Sequence, residues 1–381
     1  MIKSLSRYSG YGYRYAVKPV LFLLPPDNVH NSFVSVGATF GRIAPMKGLF
    51  KALWRYDNEP KLAQVINGIY FANPVGLSAG FDKNFKLPRI LPYIGFGLAE
   101  GGTVTRYACE GNPRPHYHRL KKSKSILVHA GLNNIGVDAE IIRLKNHLKA
   151  RKLWMPINIS VGYTNIAKNA DMNTAIADYV YSVKKIKKAK VGEIITLNVS
   201  CPNVYGGEPF TTPDRLNKLL TEIDKIDVHQ PIYLKMPSDK SWPEFKKLID
   251  VALKHNVSGI TLTNLAKDRK TTLLLDEISD NIPGNMSGRP TYKLSNDLIH
   301  QSYAYCGNKL TIIGVGGIFS AKEAYEKIKH GATLVELITG MLFEGPQLIG
   351  QINAGIVELM EKDGYTHISQ AIGAYHRKTK R

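Results

Sequence analysis

Glu193-Ile194-Ile195-Thr196-Leu197-Asn198-Val199-Ser200-Cys201-Pro202-Asn203 joins an apolar run to a polar end. The run reads as a buried strand, and its C-terminal mouth carries a thiol between two carboxamides. Pro202 stiffens the turn and pushes Cys201 towards an extended conformation. A thiol can take a proton, and carboxamides can hold a flat ring rich in amides. A lone cysteine among turn-forming asparagines is more often structural, so the functional reading depends on what accompanies it.

Eight such apolar runs recur, at 74–79, 97–104, 156–161, 193–199, 231–236, 258–263, 311–315 and 334–339. Helical patterns separate them and another follows the last; examples cover 174–190, 212–226, 242–255, 293–305 and 321–330. This alternation predicts an α/β fold, a closed (β/α)8 TIM barrel. A doubly wound open sheet is the alternative, weakened because no Gly-x-Gly-x-x-Gly follows the first strand. In a barrel the chemistry sits in the loops after the strands. Those loops carry Asp82-Lys83-Asn84, Asn158, Asn198 to Asn203, Lys235, Thr263-Asn264, Gly316-Gly317 and Thr339-Gly340. Glycines after the last two strands suit a backbone cradle for phosphate.

Residues 1–60 form a separate N-terminal segment, and 61–381 the barrel with a C-terminal helix and tail. Two short helices are expected in the first segment, from about Asp27 and from Pro45, with apolar faces Val29, Phe33, Val36, Phe40 and Leu49, Phe50, Leu53, Trp54. Basic residues flank them, as in an amphipathic pair lying on a membrane, although a lid packed on the barrel has the same pattern. Residues 1–14 are basic and rich in Ser, Tyr and Gly; they read as a disordered tail more than as a targeting peptide. The three cysteines, Cys109, Cys201 and Cys306, are too few and scattered for a disulfide framework or a metal site. No run approaches the roughly 20 apolar residues of a membrane-spanning helix. The net charge of +20, from 51 basic and 31 acidic side chains, favours anionic partners of any kind. The lysines are dispersed, so solubility explains the charge slightly better than nucleic acid does, and no nucleic-acid partner is expected.

Asn73-Pro74-Val75-Gly76-Leu77-Ser78-Ala79-Gly80-Phe81-Asp82-Lys83-Asn84 resembles the first-strand signature of dihydroorotate dehydrogenases. So do Gly95-Phe96-Gly97 with Gly102-Thr103-Val104-Thr105, Gly111-Asn112-Pro113-Arg114-Pro115, Gly131-Leu132-Asn133-Asn134-Ile135-Gly136 and Ile312-Ile313-Gly314-Val315-Gly316-Gly317-Ile318. The likeness runs in order over nearly the whole chain. Pro26-Asp27-Asn28-Val29-His30 resembles the quinone-linked, membrane-associated class. The resemblance implies an FMN-bearing barrel that oxidises dihydroorotate to orotate and passes electrons to a quinone in pyrimidine biosynthesis. It implies a peripheral protein, on the cytoplasmic side of a bacterial inner membrane rather than in a mitochondrion.

The resemblance also implies roles. Cys201 would be the catalytic base; Lys83, Asn198, Asn203 and Asn264 would bind substrate. Ala79, Gly80, Lys83, Thr103, Asn158, Asn198, Lys235, Thr263, Gly288, Gly316, Gly317, Thr339 and Gly340 would hold the flavin, and His30 and Arg119 the quinone. Four positions depart from the quinone-linked pattern. Cys201 replaces a serine, Val128 an asparagine, Leu265 a threonine and Ile338 a tyrosine. A free thiol, with a pKa of about 8.5, needs less help as a base than a hydroxyl. Losing two polar contacts costs roughly 1–3 kcal/mol each where partners stay unsatisfied. A dihydrouridine synthase shares an FMN barrel and the Asn-x-x-Cys-Pro motif, but needs an added RNA-binding helical domain. Here the residues after the last strand fit one helix plus a tail. A non-catalytic membrane-docked barrel is the third possibility, opposed by the presence of Lys83, Cys201 and the three asparagines.

Overall fold

The computed structural model describes residues 2–150, 153, 155–167, 171–270 and 273–377. Its strands are β1 Gln64–Ile66, β2 Ile69–Phe71, β3 Val75–Leu77, β4 Leu98–Val104, β5 Tyr117–Leu120, β6 Ser125–Val128, β7 Ile157–Val161, β8 Ile194–Asn198, β9 Ile232–Lys235, β10 Val257–Leu262, β11 Asn285–Met286, β12 Thr311–Val315 and β13 Leu334–Leu337. Eight of them close a parallel barrel in the order β3-β4-β7-β8-β9-β10-β12-β13, with β13 pairing back onto β3. These are the eight apolar runs of the sequence. They are apolar on both faces because helices cover the outside and side chains fill the inside.

The barrel interior is layered. At its floor Leu98, Ile194, Tyr233, Ile313 and Leu334 pack with Ile66 and Phe71 of the β1–β2 hairpin, which plugs the N-terminal end. The hairpin turns on Asn67-Gly68, both at positive φ (50° and 76°), the two-residue loop that matches strand twist. Above the floor lies a polar layer containing Glu100, Asn158, Thr196, Thr261 and Glu336, all fully buried. Strand period two then brings Ser78, Asn198 and Lys235 to the C-terminal mouth.

One feature at the mouth went unforeseen. β5, β6 and β11 form a separate three-stranded antiparallel sheet standing over it. Beside that sheet lies an N-terminal helical layer: α1 Ile2–Gly12, a π-helical stretch Tyr13–Val17, α2 Lys18–Leu21, α3 Pro26–Phe40 and α4 Ala44–Trp54. The last two are the expected helices. The first corrects the disordered tail expected of residues 1–14. Its small residues let it lie close to helix Leu348–Lys362: Ser6 is buried and its carbonyl accepts from Gln351 Nε2 (2.9 Å), and a Cβ on Gly10 would lie 3.0 Å from Gln347 Nε2. Tyr13 Oη then donates to the Leu342 carbonyl (2.8 Å), and Arg14 pairs with Glu344 (3.3 Å). Among the described residues, no helix is long and apolar enough to cross a membrane.

Candidate active site

One cavity occupies the barrel mouth and continues beneath the helical layer. Its barrel end is lined by the loops after the strands, its far end by Tyr13, Leu21, Phe22, Val29 and Phe33. Every expected site residue except Asn158 lies on this wall. Asn158 sits one layer down, where its amide exchanges hydrogen bonds with Thr196 (2.8 and 3.0 Å), away from the ring contact expected of it. Its strand register directs it to the interior layer that β7 shares with Glu100.

The carboxamides form a linked set. Asn264 Nδ2 donates to Asn198 Oδ1 (3.2 Å) and to Ser200 Oγ (3.1 Å). Asn198 Nδ2 donates to Thr103 Oγ1 (2.9 Å), which contacts Ser160 Oγ (2.9 Å). Asn203 reaches across to the cover sheet, donating to the Val128 carbonyl (3.1 Å) and accepting from Asn285 Nδ2 (2.9 Å). Asn285 is a positioning residue that the sequence reading missed, since its two-residue strand has no periodicity to detect. Thr263, from the end of β10, donates its hydroxyl to the carbonyl of Asn264 (2.8 Å).

Cys201 is half-buried and opens onto the cavity. Burial pushes its thiol up to about 11, against the lowering pull of the Asn203 amide and Lys235. The thiol is therefore neutral in the resting fold, and desolvation removes part of the acidity that a free thiol brings to the role of base. Lys83 lies 5.3 Å from the Tyr117 ring centroid. Lys235 Nζ lies 3.4 Å from Ser78 Oγ and 3.8 Å from Glu100 in the layer below.

On the other wall Gly288, Gly316, Gly317 and Gly340 bring backbone to the surface. Gly316 and Gly317 hold positive φ (117° and 70°), where a side chain is strained. A Cβ would lie 2.5 Å from Thr291 Oγ1 at Gly316, 2.4 Å from Tyr292 Cβ at Gly317 and 1.9 Å from the Ile318 carbonyl at Gly340. Thr339 Oγ1 meets Ser287 Oγ (2.8 Å) at the rim. Backbone left bare in this way suits a phosphate, and Ala79 and Gly80 leave the opposite side open for a flat ring.

At the helical end, His30 stands edge-on to Phe81 (5.1 Å between ring centroids). Burial, then the charges of Lys83 and His116, lower its pKa to about 4, so it is a neutral hydrogen-bonding ring at physiological pH. Arg119 Nη1 donates to the carbonyls of Leu24 (2.7 Å) and Phe22 (3.4 Å), tying the cover sheet to the segment between α2 and α3. Asp27 accepts from the His116 backbone N–H (3.1 Å) and faces its ring (3.1 Å), anchoring α3.

Fold and site together define a barrel enzyme whose mouth opens on a glycine-lined wall, a thiol and an apolar antechamber. More particularly, the chain belongs to the dihydroorotate dehydrogenase family: the family model "Dihydroorotate dehydrogenase" matches residues 61–360. It is 33% identical over 365 residues to "Dihydroorotate dehydrogenase (quinone)" of Gloeobacter violaceus, covering 95% of this chain and 98% of that one. It is 35% identical over 321 residues to the enzyme of the same name from Synechocystis, covering 83% of each. Among solved structures, the dihydroorotate dehydrogenase of Eimeria tenella in complex with ferulenol superposes with a TM-score of 0.81 at 26% identity, over 94% of this chain and 99% of that one.

Proposed function

We propose that this protein oxidises dihydroorotate to orotate through bound FMN and passes the electrons to a quinone. The observation that carries the reading is the single cavity joining the glycine cradle, the Cys201 thiol and the apolar antechamber under α3. The residues fit the cofactor: Gly288, Gly316, Gly317, Thr339 and Gly340 line one wall of the cavity, where backbone without side chains is open to a phosphate. These five residues would hold FMN, which would supply acceptance of a hydride from substrate and transfer of electrons to quinone.

This chain's own residues supply the rest. Cys201 takes the proton from the neighbouring carbon, so that a carbon–carbon double bond forms as both hydrogens leave. Asn198, Asn203 and Asn264 grip the ring's amides, and Lys83 the carboxylate. Val128 and Leu265 line the same wall without side-chain donors, leaving the grip to those asparagines. Lys235 offers a positive charge to the reduced cofactor. His30 and Arg119 donate to a quinone carbonyl, and Ile338 provides an apolar wall.

The helical layer exposes Leu23 (82%), Val20 (60%), Leu24, Phe33, Val36, Ile43 and Leu49. Together with its lysines and arginines, this surface suits peripheral docking on an anionic bilayer, on the cytoplasmic face of a bacterial membrane. Anaerobic addition of dihydroorotate to the purified protein tests the reading: its yellow absorbance should bleach, and a ubiquinone or menaquinone analogue should restore it. A colourless protein, or flavin that stays oxidised, would overturn it.

Two further outcomes belong here. Gly317→Ala introduces a Cβ against Tyr292 at an αL position that alone costs about 1–2 kcal/mol. The variant should purify with less flavin at an unchanged far-ultraviolet dichroism spectrum; full flavin content would argue against the cradle. With the thiol near 11, the rate of flavin reduction should climb about tenfold per pH unit through the neutral range. Stopped-flow absorbance at several pH values reads this, and a flat profile would deny Cys201 the role of base.

A further inference from the structure

The polar layer beneath Lys235 holds an anomaly. Glu100 on β4 and Glu336 on β13 are both fully buried inside the barrel. Only β3 separates their strands, and there Gly76 makes room: a Cβ on it would lie 3.0 Å from Glu336 Cγ. Written as two carboxylates, all four oxygens lack a hydrogen-bond partner. The nearest cation, Lys235, stands 3.8 Å from Glu100. Two ionised carboxylates without donors would cost far more than one lysine returns. One proton between them resolves the conflict, because a carboxylic acid becomes the donor its neighbour needs.

We propose that Glu100 and Glu336 share one proton, and that the resulting acid–carboxylate pair is the counter-charge that keeps Lys235 a cation beneath the cofactor. The second half rests on the flavin reading above; the first does not. The trio is then neutral overall. Burial and the charge of Glu100 raise Glu336 well above the usual carboxylate range, with Lys235 and the Ser78 hydroxyl opposing. Among the described residues no other charged group acts prominently on it. Tyr233, a layer below on β9, keeps its proton, since burial pushes it to about 12. Asn158, Thr196 and Thr261, facing the pair from β7, β8 and β10, do not titrate, nor do Gly76 of β3, Ser78 just after it, or Ile313 and Val315 from β12. Both glutamates are positioning residues, acting through Lys235.

The test is the infrared difference spectrum of the full chain against Glu336→Gln at neutral pH, in H2O and D2O. The expected result is loss of a protonated-carboxyl C=O band that shifts down in D2O. Loss of a carboxylate band with no acid band would overturn the proposal. Glu100→Gln reads the same pair should the first variant fold poorly. Thermal melts give a second readout. A raised native pKa stabilises fully below the unfolded value of about 4.3 and is lost as pH rises through the native one. Wild-type Tm should therefore fall towards alkaline pH relative to Glu336→Gln; parallel curves would also overturn the proposal. For the second half, the midpoint potential of bound flavin should match in the two proteins at neutral pH, where both trios are neutral. It should drop more steeply with alkalinity in wild type, and identical slopes would sink that half. A protein without flavin would defeat the functional reading and leave the infrared result to stand alone.

Discussion

Replacing Cys201 with alanine should leave flavin bound and slow its reduction by dihydroorotate about 10²–10⁴-fold, the usual contribution of a general base. Cys201 opens onto the cavity, next to Asn198 and Asn203 and clear of the glycine cradle, so the cofactor loses no contact. Flavin content and its visible spectrum should therefore match wild type while stopped-flow reduction is slow. The size of the loss depends on the thiol's environment. Desolvation holds it near 11, so little thiolate exists at neutral pH, and base strength is gained at the expense of population. Cys201→Ser keeps the geometry and removes acidity; it should retain partial activity and move the rising limb of the pH profile further alkaline. A Cys201→Ala protein reducing its flavin at the wild-type rate would place the base elsewhere.

The barrel was legible because its strands are short apolar runs at regular intervals, a pattern that both-face burial imposes. The mouth residues were legible for a related reason: where a parallel strand leaves the apolar interior at its C-terminal end, its polar side chains converge on the barrel mouth. What escaped notice had local signals too weak or misread. Val65-Ile66-Asn67-Gly68-Ile69-Tyr70 carries a plain hairpin turn, yet three-residue strands are too short for alternation to register. The cover sheet is built from four-, four- and two-residue strands, of which Asn285-Met286 is silent in sequence. Residues 2–12 looked like a tail because Ser and Gly suggest disorder; their use is close approach to helix Leu348–Lys362, which composition does not reveal. Glu100 and Glu336 stood in the open, as acids inside apolar strands, and only their convergence in three dimensions gives them meaning.

Substituting Arg119 should separate the two halves of the reaction. Arg119 lies on β5 at the antechamber wall and holds the backbone carbonyls of Phe22 and Leu24, while Lys83, Asn198, Asn203 and Asn264 come from the ends of β3, β8 and β10. Losing a hydrogen bond from a charged donor costs about 1.5–3 kcal/mol, or roughly 10- to 100-fold in binding. Arg119→Ala should thus raise the KM for a quinone analogue by about that factor and leave flavin reduction by dihydroorotate unchanged. His30→Ala should act in the same direction but more weakly, since its ring is neutral at working pH. Removing residues 1–60 is the coarser version. It strips away the antechamber's outer wall and the exposed apolar residues of α3 and α4, so quinone turnover and liposome binding should both collapse while the substrate still bleaches the flavin. The comparison discriminates because a mere lid would give a different pattern. If the cap only sheltered the barrel mouth, its loss would impair flavin reduction and quinone turnover together, and Arg119→Ala would change neither. If a soluble acceptor such as fumarate or NAD reoxidised the intact protein faster than any quinone, Cys201 would be a better guide to the electron acceptor than the helical layer.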